Sequence, residues 1–353
     1  MTVYRPSWFS DTKVMVSTAP TCGLTKGGRL LPLVDTKTGA RIQVPDPETG
    51  EPVEAINDQL LADMQALASH KQTETLRFID REKVSLRAAV PAYYDRRFED
   101  AFLAAMQTPA FQGFAGVTIG ELTKTGVVEV RGGHGSPSTD QRVGDVPYIK
   151  VSDLRAGLLN INPTNRVPHK IAEKHWRGPQ SGLRAFDLLS PERTSKNIGD
   201  FCVLLPGQER VLLTKEIIVL RPGPTANFDA FFLLWALTLK IVRDQWKRIV
   251  FMQTNREDVG KRYMELLIPI ASSAELARSV SASFRAYYKG LAEARAQFAQ
   301  YLSESKQHHF FVSGAEPPDP DDLAATLTEE DARTLEEEEL EPSTSPSCGA
   351  VPT

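Results

Sequence analysis

Cysteine is scarce: Cys22, Cys202 and Cys348 are the three in 353 residues, far apart and odd in number. That usage builds neither a disulfide framework nor a zinc cluster, and it fits a reducing cytoplasm. Long apolar runs are missing too. A membrane span needs ~18–20 such residues, and the nearest stretch, 231–242, is interrupted by Lys240. The opening Met1-Thr2-Val3-Tyr4-Arg5-Pro6 has no apolar stretch ahead of a small-residue cleavage site, so no signal peptide and no membrane partner are expected.

Catalytic patterns are equally thin. No GxxxxGK[ST] phosphate loop occurs, which excludes the usual route to ATP hydrolysis. Adenine methylation uses an Asn/Asp-Pro-Pro-aromatic motif to hold the exocyclic amine of a flipped base. The nearest match, Asn162-Pro163-Thr164, lacks the second proline and the aromatic. Gly132-Gly133-His134-Gly135 is not followed by the helix that an S-adenosylmethionine loop requires. Glu82-Lys83 and Lys215-Glu216 lack the clustered carboxylates of a metal nuclease, and His134 reads as an exposed loop residue. His308-His309 reads as the end of a helix. The expectation is a chain with no catalytic residue, no cofactor and no metal.

What is present is enough for two domains plus appendages: 41% hydrophobic residues. Charge is unevenly spread. Residues 313–353 carry twelve Asp/Glu against Arg333 alone, about −11, which leaves about +7 on residues 1–312 of a chain whose net charge is −4. The acidic tail, with Pro317-Pro318 and Glu336-Glu337-Glu338-Glu339, is expected to be disordered. The basic remainder suits a polyanionic partner.

Along the chain, residues 14–18 read as a strand, Cys22-Gly23-Leu24-Thr25-Lys26-Gly27-Gly28 as a glycine turn, and 30–34 as a second strand. Over 56–68, Ile56, Leu60, Leu61, Met64 and Leu67 share one helical face. Later, Tyr148, Lys150 and Ser152 alternate with Ile149, Val151 and Asp153 as in a half-buried strand, and Ile217-Ile218-Val219-Leu220 reads as a buried one. A long helix is expected over 228–248, its core side carrying Phe231, Leu234, Trp235, Thr238, Ile241 and Val242. From Ser272 or Ser273 as N-cap to about 307, Leu276, Val280, Phe284, Tyr287, Leu291, Ala294, Phe298 and Tyr301 recur every four and three residues. As one helix this stripe would form a rod of about 50 Å.

The basic loops of the central region hold Arg131, Arg142, Lys150, Arg155, Arg166, Lys170, Lys174, Arg177, Arg184, Arg193, Lys196, Lys215 and Arg256, with Tyr148 and Trp176 interleaved. Such sets position phosphates while a few polar groups read base edges. An ordinary solvated surface has the same composition.

The ordered segments VPYIKVSDL (146–154), LLTKEIIVLRP (212–222), TNREDVG (254–260) and LLIPI (266–270) resemble the target recognition domain of type I restriction-modification specificity subunits. They also resemble the recognition domain fused to some adenine-N6 DNA methyltransferases. Residues 22–39, with Cys22-Gly23, Lys26, Gly28, Asp35 and Gly39, resemble the C-terminal end of adenine-N6 methyltransferases. An ordinary hairpin plus helix would look similar.

The resemblance implies an α+β chain in four parts. Residues 1–110 are a methyltransferase-tail-like segment with linker helices, and 111–271 a mixed α/β target recognition domain. Residues 272–312 are a long coiled-coil-like spacer helix, and 313–353 the acidic tail. It implies DNA contacts from Arg142, Lys150, Ser152, Asp153, Arg193, Lys196, Asn197, Thr254, Asn255 and Arg256, although Asp153 could instead cap the next turn. It implies assembly through Leu276, Val280, Phe284, Tyr287, Leu291 and Phe298. The implied partners are double-stranded DNA, a separate adenine-N6 methyltransferase subunit and, through the helix, a second copy. The implied setting is a cytoplasmic restriction or phage-defence system. A protein-binding scaffold and one piece of a split methyltransferase remain alternatives.

Overall fold

The computed structural model describes residues 12–69, 71–84, 90–137, 144–193, 195–252 and 257–304. The architecture is mixed α/β, with several helices and several small sheets. No helix among the described residues is long and apolar enough to cross a membrane. Two compact units emerge, and neither is continuous in sequence: residues up to 121 join 239–272, and 122–238 join the chain from 273 onward.

In the first unit, strand Lys13–Ser17 pairs antiparallel with Leu76–Asp80, one residue earlier than the strand expected over 14–18. Residues 30–34 make only isolated bridges, Leu24 to Leu30, Pro32 to Ile56 and Val34 to Arg41. The helix over 56–68 begins at Gln59, capped by Asp58, whose carboxylate accepts from Leu61 N at 2.9 Å. Strand Phe114–Thr118 pairs antiparallel with Leu267–Ala271, and helix Arg97–Met106 packs on that pair. Phe102 is fully buried there. Gly116 makes room for it, since a Cβ at that position would lie 2.8 Å from the Phe102 ring.

The second unit is built on a six-stranded sheet. Its order is Val128–Gly132, Ile217–Pro222, Leu188–Pro191, Cys202–Val203, Leu158–Leu159, Leu154–Arg155. A three-stranded sheet sets Val146–Ile149 between Arg166–Val167 and Leu212–Leu213. Ile149, Leu154, Leu189, Leu204, Leu213, Ile217 and Val219 form one core. As its unbroken apolar run predicts, 217–220 is buried on both faces. Tyr148 and Trp176 belong to a second buried cluster with Val146, Val167 and Ile171, so they are packing residues rather than surface aromatics.

Three sequence expectations are corrected. The helix over 228–248 is three helices, Ala230–Thr238, Lys240–Arg243 and Trp246–Ile249. The first ends where the Thr238 hydroxyl donates to Leu234 O and Trp235 O at 2.9 and 3.1 Å, closing the last turn, and Leu239 leaves helical geometry with ψ 137°. The strand expected from alternation over 148–153 is instead Val146–Ile149, followed by a 3-10 turn, Val151–Asp153.

The third correction concerns the coiled-coil-like rod. It is two segments, Ala274–Val280 and Ala282–Glu304, interrupted at Ser281, where the backbone leaves helical geometry at ψ 6°. There the hydroxyl donates to Ala277 O at 2.7 Å, competing with the backbone ladder. The longer segment spans about 35 Å at 1.5 Å per residue. Ser273 is the N-cap of the shorter segment, accepting from Leu276 N at 3.1 Å. The acidic tail lies outside the described residues.

Candidate nucleic-acid interface

Strand pairing in the second unit brings four connecting segments to one end. Val146–Ile149 and Leu212–Leu213 run parallel, with Tyr148 opposite Leu212 and Ile149 opposite Leu213. Lys150 and Thr214 therefore leave the sheet together, tied by Thr214 N to Ile149 O at 3.0 Å. Antiparallel pairing sets Pro191 opposite Ile217, and Glu192 N reaches Glu216 O at 2.7 Å, which places Arg193 beside this edge. The 192–199 loop returns to the same place, where Gly199 N donates to Ser190 Oγ at 3.2 Å with φ +83°. The fourth segment follows Gly132, which pairs with Ile218. Gly133 approaches Thr214 so closely that a Cβ would lie 1.9 Å from Thr214 O. Only glycine fits that approach. Ser136 Oγ then meets Thr214 Oγ1 at 2.9 Å.

Of the expected DNA contacts, Lys150, Ser152, Arg193, Lys196 and Asn197 are gathered at this end. Ser152, Lys196 and the neighbouring Lys215 are exposed. Asp153 has a different position. It is buried, and its carboxylate accepts from Lys150 N at 2.8 Å, closing the turn that presents Ser152. Burial pushes its carboxyl up, opposed by that amide and by the Lys150 charge. Lys150 Nζ lies 5.6 Å from the Tyr148 ring centre. Arg142, Thr254, Asn255 and Arg256 lie outside the described residues. Ser136 and Thr214 were not anticipated as neighbours of the site. Gly133, which permits the close approach, is the sequence signal for them.

A buried polar network braces this end from behind. His134, expected on an exposed loop, is half-buried. Its Nδ1 accepts from Leu213 N at 2.9 Å, which assigns the proton to Nε2, and Nε2 donates to Ser181 O at 2.9 Å. Arg131 donates to Ser181 O and Gly182 O, both at 3.0 Å. Arg221 donates to Gly182 O at 3.0 Å and to the buried Asp187 carboxylate at 2.6 Å. Burial depresses the His134 pKa to about 4, with the Arg131 charge adding to it and the Ser181 bond opposing. Among the described residues no group of three or more His, Cys, Asp or Glu is placed to hold a metal.

No family model matches the chain, and no curated protein matches it. Solved structures show distant likenesses. The HsdS subunit from Thermoanaerobacter tengcongensis aligns at 17% identity over 81% of this chain and 59% of that one, with a TM-score of 0.34. The type I restriction-modification S subunit from M. genitalium aligns at 13% identity over 54% and 43%, TM-score 0.33. The type IIG restriction endonuclease BpuSI aligns at 12% identity over 64% and 33%, TM-score 0.39. The chain thus spans between 33% and 59% of those proteins' lengths, and the likenesses do not place it in a family.

The residues expected in assembly lie on the two C-terminal helix segments. Leu276, Val280, Phe284 and Leu291 are half-buried, whereas Tyr287 is 58% exposed and Phe298 is exposed. The inward face carries Ala277, Ser281 and Tyr288, and the Tyr288 hydroxyl donates to Gly157 O at 3.1 Å. The four-and-three stripe therefore misses the inward aromatic by one position.

Proposed function

We propose that the chain is a DNA sequence-recognition subunit of a restriction-modification or phage-defence methylation system, without catalysis of its own, directing a separate adenine-N6 methyltransferase subunit. The observation that carries the reading is the convergence of Lys150, Ser152, Arg193, Lys196, Asn197 and Lys215 on one end of a braced sheet. Exposed cations there suit backbone phosphates, and Ser152, Asn197 and Ser136 suit base edges. The ordered motifs at 146–154, 212–222, 254–260 and 266–270 support it.

The test is duplex binding across a salt series. Log K is expected to fall linearly with log salt. The double variant Lys150→Ala/Lys196→Ala is expected to bind more weakly and to reduce that slope by about 2, one for each lost phosphate contact. The chain alone, given labelled S-adenosylmethionine and duplex, is expected to transfer no methyl groups. Affinity indifferent to salt and to the variant would overturn DNA recognition in favour of a protein scaffold.

Helix Ala282–Glu304 is the assembly element in this reading, through Leu291, Phe298 and the exposed Tyr287. Leu291→Asp with Phe298→Asp is expected to dissolve a complex with a second copy or with the methyltransferase while DNA binding survives. Light scattering of the wild type and the variant, each alone and with the methyltransferase, checks this. A wild type that stays monomeric in both conditions removes the spacer role.

A further inference from the structure

The most exposed apolar surface of the first unit lies between residues 24 and 64. Ten of the large apolar side chains exposed among the described residues fall there, with Leu30 at 65%, Leu61 at 54% and Met64 at 49%. Together they leave on the order of 800 Å² open, the area one partner contributes to a stable interface. The helix Gln59–Ala68 shows the reason. Its inward side is Asp63 and Leu67. Asp63 accepts from Ser17 Oγ, Thr73 Oγ1 and Thr75 Oγ1 at 2.6, 2.6 and 2.7 Å. Burial alone would raise its carboxyl, but the three hydroxyls hold it below the ordinary value. The face that spacing marks as a core, Leu60, Leu61 and Met64, is left open.

The neighbouring strands are well registered but also uncovered. Gln43–Pro45 pairs with Pro52–Glu54, setting Val44 beside Val53, and every one of these residues is exposed. Two turns of the same form hold the meander. Asp35 Oδ1 accepts from Lys37 N and Thr38 N before Gly39. Asp46 Oδ1 accepts from Glu48 N and Thr49 N before Gly50. A hairpin of this size is marginal in water unless an apolar face is packed.

Charge decides what covers it. Residues 24–64 carry Asp35, Asp46, Glu48, Glu51, Glu54 and Asp58, with Asp63 turned inward, against Lys26, Arg29, Lys37 and Arg41, about −3 in all. Backbone amides hold the Asp35 and Asp46 carboxyls below the usual range, so both stay ionised. DNA is repelled by such a face. The chain's own acidic tail is repelled as well. A second copy meeting it by two-fold symmetry would set acid against acid.

We infer that this face docks a second, different protein whose apolar groove is edged by lysine and arginine. The identity given to it, the methyltransferase subunit, rests on the reading above.

Two full-length double variants, Val44→Asp/Leu61→Asp and Glu48→Lys/Glu51→Lys, test it by titration against a purified adenine-N6 methyltransferase subunit, the partner that the reading above implies. The first is expected to raise Kd at least about thirtyfold, as for loss of a central anchor. The second is expected to weaken binding at low salt, with the difference vanishing at high salt. Both are expected to melt and to bind DNA as the wild type does. If both variants bind the methyltransferase like the wild type, the docking surface is wrong and the recognition reading stands. If the wild type binds DNA but not the methyltransferase, the partner in that reading falls, and this occupant with it. A wild-type dimer that Val44→Asp/Leu61→Asp dissolves would make a second copy the occupant and overturn the inference.

Discussion

Replacing Arg248 with alanine is expected to cost the first unit about 3–5 kcal/mol, the range for removing one partner of a buried ion pair. The Arg248 side chain is 2% exposed and bridges two carboxylates, Glu99 at 2.7 Å and Glu265 at 3.0 Å. It also donates to Tyr93 O at 3.1 Å and lies 5.0 Å from the Tyr93 ring centre. The Tyr93 hydroxyl closes the circle by donating to Glu265 at 2.7 Å. Without the guanidinium, Glu99 keeps only Arg96, itself largely solvated, at 2.8 Å. A triple variant, Arg248→Met/Glu99→Leu/Glu265→Gln, is expected to recover much of the loss, because apolar groups of similar volume replace the buried Arg248–Glu99 pair at little cost and the neutral amide removes the charge left on the part-exposed Glu265. Urea denaturation of the wild type and both variants checks this. A single-variant loss below about 1 kcal/mol would show that the charges are solvated in solution.

The second large effect is on pH dependence and comes from His134. Its folded pKa is depressed to about 4 from 6.5. Between those values the unfolded chain binds the proton and the folded chain does not. The contribution is therefore complete above about pH 6.5 and is lost as pH falls toward 4. The loss amounts to about 3 kcal/mol, at 1.36 kcal/mol per pH unit. Protonation would take Nδ1 from Leu213 N and put a cation beside Arg131, whose Nη2 is 3.1 Å from Nε2. Asn at this position can accept from Leu213 N and does not titrate. The difference in unfolding free energy between wild type and His134→Asn is expected to shrink by that amount from pH 7 to pH 4. Parallel curves for the two proteins would mean the imidazole is solvated.

Local chemistry was legible wherever one feature dominated. Residues 14–16 are a short apolar run before a glycine turn, 217–220 is apolar without a break, and Ser273 stands before a helical pattern. Of the candidate site, the sequence shows that the loops are basic and that Lys150, Ser152, Arg193, Lys196 and Asn197 are polar or charged positions within them. Their convergence could not, because it depends on a parallel pairing between 146–149 and 212–213 that no local pattern encodes. Helix Ala230–Thr238 is buried on nearly every side, so its apolar residues show no phase that would expose the break at Leu239. Tyr287 and Tyr288 are adjacent aromatics, and a shift of one residue decides which turns inward. His134 looked exposed because glycines surround it in sequence, whereas its neighbours Ser181 and Leu213 are 47 and 79 residues away.

Pairing of strand Phe114–Thr118 with Leu267–Ala271 has a consequence for synthesis on the ribosome. The first strand emerges about 150 residues before its partner, roughly 10–30 s at ordinary translation rates of ~5–20 residues per second. Throughout that interval its edge is open and Phe102 lacks the second strand of its cover. The strands 128–222 can meanwhile complete the six-stranded sheet, since all six lie inside the excursion. A nascent chain stalled near residue 240 would carry one finished sheet and one unfinished half. That species, with a bare strand edge beside an apolar helix, is the form of this protein that most needs a chaperone.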